Sequence, residues 1–237
     1  PPLVMAVAWV LVMRTGHGGW ADTLWTFGTG AAALAAIWLW RGDGGDAPGL
    51  TEREVLAAGL ALLWSGRLGI YLLRRTWSGP EDQRYADLRR EWGPDNPRRL
   101  FLFLQAQALA AIPLYGAMAL AGNRPGPIDG FDIAGVLIFA AGILGAGVAD
   151  RQLERFKANP KNRGQICDTG LWSRARHPNY FFEWTGWLAW PLIAFDPALS
   201  YWPGFIAVLA PALMYHLLVN VSGVPPLEAH MERSRPD

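Results

Sequence analysis

A single cysteine, Cys167, stands in 237 residues. That excludes an internal disulfide framework and a metal site built from several thiolates. The four histidines, His17, His177, His216 and His230, show no HxxxH spacing and no acidic cluster beside them, so no metal is expected. Charge is scarce, at 17% of residues, with 21 basic against 20 acidic side chains and a formal net charge of +1. There are basic loops but no extended basic face, so nucleic acid is not an expected partner. No nucleophile elbow supports a Ser/His/Asp hydrolase. No internal repeat stands out.

What is abundant is apolar surface. Half of the chain (51%) is hydrophobic and 13 residues are tryptophan. Several windows approach the roughly 20 apolar residues that span a bilayer. The expected class is an all-α, polytopic integral membrane protein of one domain, 1–237. Seven transmembrane helices are expected, near residues 3–13, 21–40, 54–73, 100–121, 131–149, 180–195 and 201–221. The chain opens Pro1-Pro2 without methionine, and the first span is expected to be incomplete. Thr51-Glu52-Arg53-Glu54 has the spacing of a capping box and predicts the start of the third. Residues 41–50, 122–130 and 196–200 read as turns. The arginine-rich segments 74–99 and 150–178 and the tail from 222 fall on one side for seven spans. The positive-inside rule makes that side cytoplasmic, with the N terminus outside and the C terminus cytoplasmic.

Two glycine patterns, Gly28-Thr29-Gly30 and Gly145-Ala146-Gly147, invite a dinucleotide reading. Neither follows a strand, and both lie inside apolar windows, so close helix packing is the better account. Two polar stretches carry more chemistry. In the first, Arg67, Tyr71 and Arg74 share one helix face. An arginine as deep as Arg67 should face the bundle interior or a watery cavity, whereas Arg74 and Arg75 could equally snorkel at the edge. Glu81 and Asp82 read as partners of loop arginines. The second stretch runs from Asp150 through Asp168-Thr169-Gly170-Leu171-Trp172 to Arg176-His177-Pro178-Asn179-Tyr180 and Glu183. Arginine forks and a helix start suit a bound anion. An ordinary basic loop explains Arg151, Arg155 and Lys161 as well, but not Glu183, which lies on the apolar side of the boundary.

Three segments together carry a resemblance: 63–85, the stretch 168–183, and Val221-Ser222-Gly223-Val224-Pro225-Pro226-Leu227-Glu228. The chain from about Asp22 onward resembles the steroid 5-alpha-reductase family, most closely its bacterial membrane branch. The resemblance implies a bacterial inner-membrane reductase using NADPH, with its cofactor site on the cytoplasmic side. Helices in 1–121 would form the substrate cavity, and 122–237 would hold the cofactor. The substrate would be a 3-oxo-4-ene steroid or similar lipophilic enone entering from the bilayer lipids. Tyr71 would meet the substrate carbonyl with Asp22 as its acidic partner. Asn179 and Glu183 would lie beside the nicotinamide, and Asp150 and Arg176 at the ribose or phosphates. Arg67, Arg74, Arg84, Tyr85, Lys157, Asn162, Arg163, Trp172, His177, Tyr180 and Glu228 complete the implied cofactor-binding set. The resemblance also implies a cofactor-covering tail beyond Asp237. Integral-membrane methyltransferases of the isoprenylcysteine and phospholipid type look similar at Arg176-His177-Pro178, which leaves an S-adenosylmethionine-dependent alternative open.

Overall fold

Thr51 and Glu54 close on each other as their spacing predicts. The Thr51 hydroxyl accepts from the Glu54 amide at 3.1 Å, and the Glu54 carboxylate accepts from the Thr51 amide at 2.6 Å. This box satisfies amides that a helix start leaves unpaired, and it launches α3 (Glu52–Ser78). The computed structural model describes residues 1–41 and 49–234, and every regular element there is helical. The central part of the turn expected at 41–50 and the last three residues of the tail lie outside the described residues. The chain divides into two compact units, Pro1–Pro127 and Ile128–Asp237.

The first unit contains α1 (Pro2–Thr15), α2 (Gly19–Leu39), α3, α4 (Gln83–Trp92), α5 (Asn96–Ala110) and α6 (Ile112–Gly122). Helix α2 lies at its centre, against α1, α3 and α6. Small residues permit this closeness. A Cβ on Gly30 would stand 2.4 Å from the Ser65 hydroxyl, so the Gly28-Thr29-Gly30 pattern serves helix packing. Met5, Ala8 and Val12 of α1 pack with Ala21, Tyr85, Leu100, Leu104 and Ala108 in a buried cluster. The buried Arg53 guanidinium donates to the carbonyls of Arg124, Pro125, Gly126 and Pro127, which fixes the turn after α6.

The second unit contains α7 (Gly130–Ala158), α8 (Pro178–Trp187), α9 (Ala189–Ala194), a 3-10 turn (Trp202–Val208), α10 (Leu209–His216), a π-turn (Leu217–Val221) and α11 (Val224–Ser234). Asp129 and Asp132 cap α7 reciprocally. Helix α7 meets α8 with almost no side chain between them. A Cβ on Gly142 would lie 2.5 Å from the backbone of Gly186, and one on Gly145 would overlap Phe182. Backbone cannot rotate away as a side-chain tip can. Gly142→Ala is therefore expected to lower stability by about 2 kcal/mol or more. Thermal unfolding of the detergent-solubilised protein reads this, with Gly147→Ala, whose Cβ meets open space, as the neutral control.

All seven apolar segments of the sequence are helical, but they differ in length. Among the described residues, four helical segments are long and apolar enough to cross a membrane: Glu52–Ser78, Gln83–Gly122, Gly130–Ala158 and Trp202–Ala229. They identify a multi-pass membrane protein. Helix α1 is a shorter apolar helix, and the 180–195 segment is interrupted at Leu188 between α8 and α9. Ile133, Leu137, Leu144 and Val148 form an exposed apolar stripe along α7, a surface suited to lipid tails.

Candidate functional site

Each unit carries a polar cluster at the edge of its apolar helices. In the first unit, Asp82 caps α4 by accepting from the Arg84 amide at 3.0 Å. Arg84 reaches the Asp22 carboxylate, and the Tyr85 hydroxyl donates to the other Asp22 oxygen at 2.9 Å. Arg84 also binds Asp82 at 2.9 Å, and Arg75 binds Asp82 at 2.7 Å. Burial alone would raise the Asp82 carboxyl, but the hydrogen bond and charge of Arg84, with the charge of Arg75, hold it below the ordinary carboxylate value. Glu81 pairs with Arg89 at 2.7 Å. The His17 ring completes the rim. Its Nδ1 accepts from the Gly19 amide at 3.3 Å, so its Nε2 donates to the Gly79 carbonyl, also at 3.3 Å. His17, Asp22, Arg75, Thr76 and Asp82 line a cavity with room for little more than a water molecule.

Tyr71 is half-buried on α3, one turn after half-buried Arg67, with Arg74 exposed beyond it. The resemblance pairs Asp22 with Tyr71. The structure joins Asp22 to Tyr85 and to Arg84, which Asp82 also holds. Sequence distance hid this, because Asp22 and Tyr85 are 63 residues apart.

In the second unit the polar end of α7 meets the start of α8. The Asn179 amide donates to Asp150 at 3.2 Å. Glu183 follows one turn later on α8 and is half-buried. The loop before α8 is pinned to α7 twice. The Trp172 indole donates to the Ala149 carbonyl at 2.9 Å, and the Leu171 amide donates to the Gln152 side chain at 2.9 Å. Gly170 adopts φ +62°, a conformation that favours glycine, with the Gln152 side chain where its Cβ would be. Gln152 was not singled out in the sequence; the only signal was its place one turn before Phe156 on the polar part of α7. His177 Nε2 lies 3.2 Å from Glu228, Arg176 lies 3.4 Å from the same carboxylate, and Tyr180 stacks on His177 at 5.7 Å. Asn162 donates to the Phe156 carbonyl at 2.9 Å, which folds the turn after α7. Lys157 and Arg163 are exposed on either side of it.

The family described as a protein of unknown function, DUF1295, matches residues 8–237. The chain belongs to this family. A probable O-methyltransferase, ustE, of Ustilaginoidea virens is similar over a shorter stretch, at 37% identity over 90 residues. That stretch is 37% of this chain and 29% of the relative, so the chain spans less than a third of that protein's length. No solved structure matches.

The donor set of this DUF1295 chain can be tested against an anionic dinucleotide. Arg163, Arg174 and Arg176 are exposed at the α8 end of the second unit. No side chain caps the start of α8, which leaves a helix end that favours negative charge. Asp150 and Asn179 offer an acceptor and a donor of the kind that hydroxyl and amide groups require. These groups fit a phosphorylated, hydroxyl-bearing ligand. Among the described residues no group of His, Cys, Asp and Glu could hold a metal ion.

Proposed function

We propose that the protein is an NADPH-dependent membrane reductase that saturates the carbon–carbon double bond of a 3-oxo-4-ene steroid or similar lipophilic enone. The observation that carries this reading is the convergence of Asp150, Arg176, His177 and Asn179 at the polar end of apolar helices. The family's breadth supports it, since DUF1295 includes steroid 5-alpha-reductase-like membrane proteins. In this reading the chain crosses the bilayer seven times, with the C terminus and the arginine-rich segments in the cytoplasm. NADPH, when bound, supplies the hydride.

The chain's own residues do the rest. Arg176 and the start of α8 balance phosphate charge, and Asp150 and Asn179 orient hydroxyl and amide groups. Glu183, one turn along α8 from Asn179, lies on the nicotinamide side. Negative charge gathers on the enone oxygen as the β carbon is reduced, the Tyr71 hydroxyl donates to that oxygen, and the resulting enolate takes a solvent proton at the α carbon to give the saturated ketone. Asp22, engaged by Tyr85 and Arg84, acts as a positioning residue for that part of the first unit. A protein-sized apolar surface excludes water, which strengthens such bonds.

One specific observation favours a second reading. The fungal relative is named as a probable O-methyltransferase, and a methyl-donor ligand would use the same polar end. Thermal stabilisation separates the two. At a hundredfold excess over its dissociation constant, a true ligand stabilises by about 2.7 kcal/mol. NADPH is expected to raise the unfolding temperature while S-adenosylmethionine leaves it unchanged. The reverse outcome replaces the reductase with a methyltransferase. NADPH consumption across a panel of enone steroids then identifies the substrate class.

A further inference from the structure

Helix α11 is attached lightly. It packs chiefly on the π-turn that precedes it, and Pro225, Leu227 and Ala229 on it are exposed. The chain enters it through Gly223, which is buried so tightly that a Cβ would stand 2.3 Å from the Leu218 carbonyl. The π-turn closes with the Ser222 amide donating to the Leu217 carbonyl at 2.8 Å. Such turns interrupt the regular ladder and bend a helix at a defined place. Beyond this elbow, the Glu228 carboxylate of α11 reaches the start of α8. Glu228 lies 3.2 Å from His177 Nε2 and 3.4 Å from the Arg176 guanidinium.

We propose that Glu228 is an internal stand-in for an anionic ligand, and that α11 is a strap which phosphate displaces from Arg176 and His177. This rests on the assignment of cofactor phosphates to the start of α8. The Arg176 side chain is 86% exposed and that of Glu228 is 37% exposed, so the contact is a weak, solvent-screened ion pair. A phosphate carries more charge than one carboxylate and presents several oxygens to an arginine fork. Binding therefore competes with the Glu228 contact, and the apparent affinity is lowered by the fraction of molecules in which the strap is closed.

The test uses the full chain in lipid nanodiscs, titrated with NADPH and separately with inorganic pyrophosphate. Glu228→Gln keeps size and removes charge, and Glu228→Ala serves as a second variant. Both are expected to bind each ligand roughly three- to five-fold more tightly than the parent, the gain that loss of a weak exposed pair allows. Adding Arg176→Ala to Glu228→Gln should cancel that gain. Equal or weaker NADPH binding by both Glu228 variants overturns the strap and leaves the reductase reading intact. Tighter pyrophosphate binding with no NADPH binding by any form sustains the strap and removes the reductase. Binding of neither ligand to any form removes both.

Discussion

Tyr71→Phe is expected to lower kcat by roughly 10²- to 10³-fold, the usual loss when one donor to a developing oxyanion is removed. The substitution deletes one oxygen and keeps the ring, so the half-buried packing of α3 survives. NADPH affinity should stay within about two-fold of the parent, because an interaction made only as the reaction proceeds affects kcat and not ligand binding. Stopped-flow loss of NADPH absorbance with a saturating enone measures the first quantity. Thermal titration with NADPH alone measures the second. If kcat is unchanged, Tyr71 has no part in the chemistry. If cofactor affinity falls with it, Tyr71 supports the fold or the cofactor. Arg67 gives a contrast on the same face: removing its guanidinium alters the charge around Tyr71, so both quantities should move.

What could be read from the chain follows physical range. Local patterns were legible. Thr51 and Glu54 predict their own cap, because the box needs only four consecutive residues. The two glycine patterns were assigned to packing from their apolar flanks alone, and Gly30 against Ser65 and Gly145 against Phe182 are such contacts. Pro178 opens α8 where a proline at a first helical position is well placed. The pairing of Glu81 and Asp82 with arginines also came from short separations. Contacts set by tertiary structure were not legible. The change of helix at Leu188 did have a local signal within residues 180–195: Gly186 precedes it, and Pro191 lacks the amide that would donate back to the Trp187 carbonyl. The π-turn at Leu217–Val221 carries no sequence signal of its own. The Asn179–Asp150 bond spans 29 residues, and only the resemblance placed the two at a common ligand.

Asp22→Ala is expected to lower stability by about 3 kcal/mol, a cost at the lower end of that for breaking a buried charge pair. The carboxylate accepts from the Tyr85 hydroxyl and pairs with Arg84, and Tyr85 is 4% exposed within the cluster formed by α1, α2 and α5. Removing it takes a charged acceptor from the Tyr85 hydroxyl, leaving it the Gln107 side chain, and weakens a guanidinium's neutralisation in partly buried surroundings. The side chains of Asp22 and Arg84 are 23% and 33% exposed, which keeps the loss below that of a fully buried pair. For a chain of this size the unfolding temperature should fall by roughly 6–12 °C. Asp22→Asn retains an acceptor for Tyr85 and should lose about half as much. Activity separates support from catalysis. A positioning role predicts that kcat recovers toward the parent value in Asp22→Asn at temperatures where that variant is folded. A kcat loss as large as that of Tyr71→Phe in the folded Asn variant would make Asp22 the acidic partner in the reaction itself. Acid gives an independent check on the neighbouring carboxylate. Asp82 is held below its ordinary value in the folded protein, so its contribution is present at neutral pH and is lost as pH falls through that depressed value. Stability measured from pH 7 downward should therefore begin to decline as pH enters the ordinary carboxylate range, where the unfolded Asp82 takes up its proton, and go on falling through the depressed folded value. Arg84→Met should remove much of that dependence by releasing Asp82 and Asp22 together.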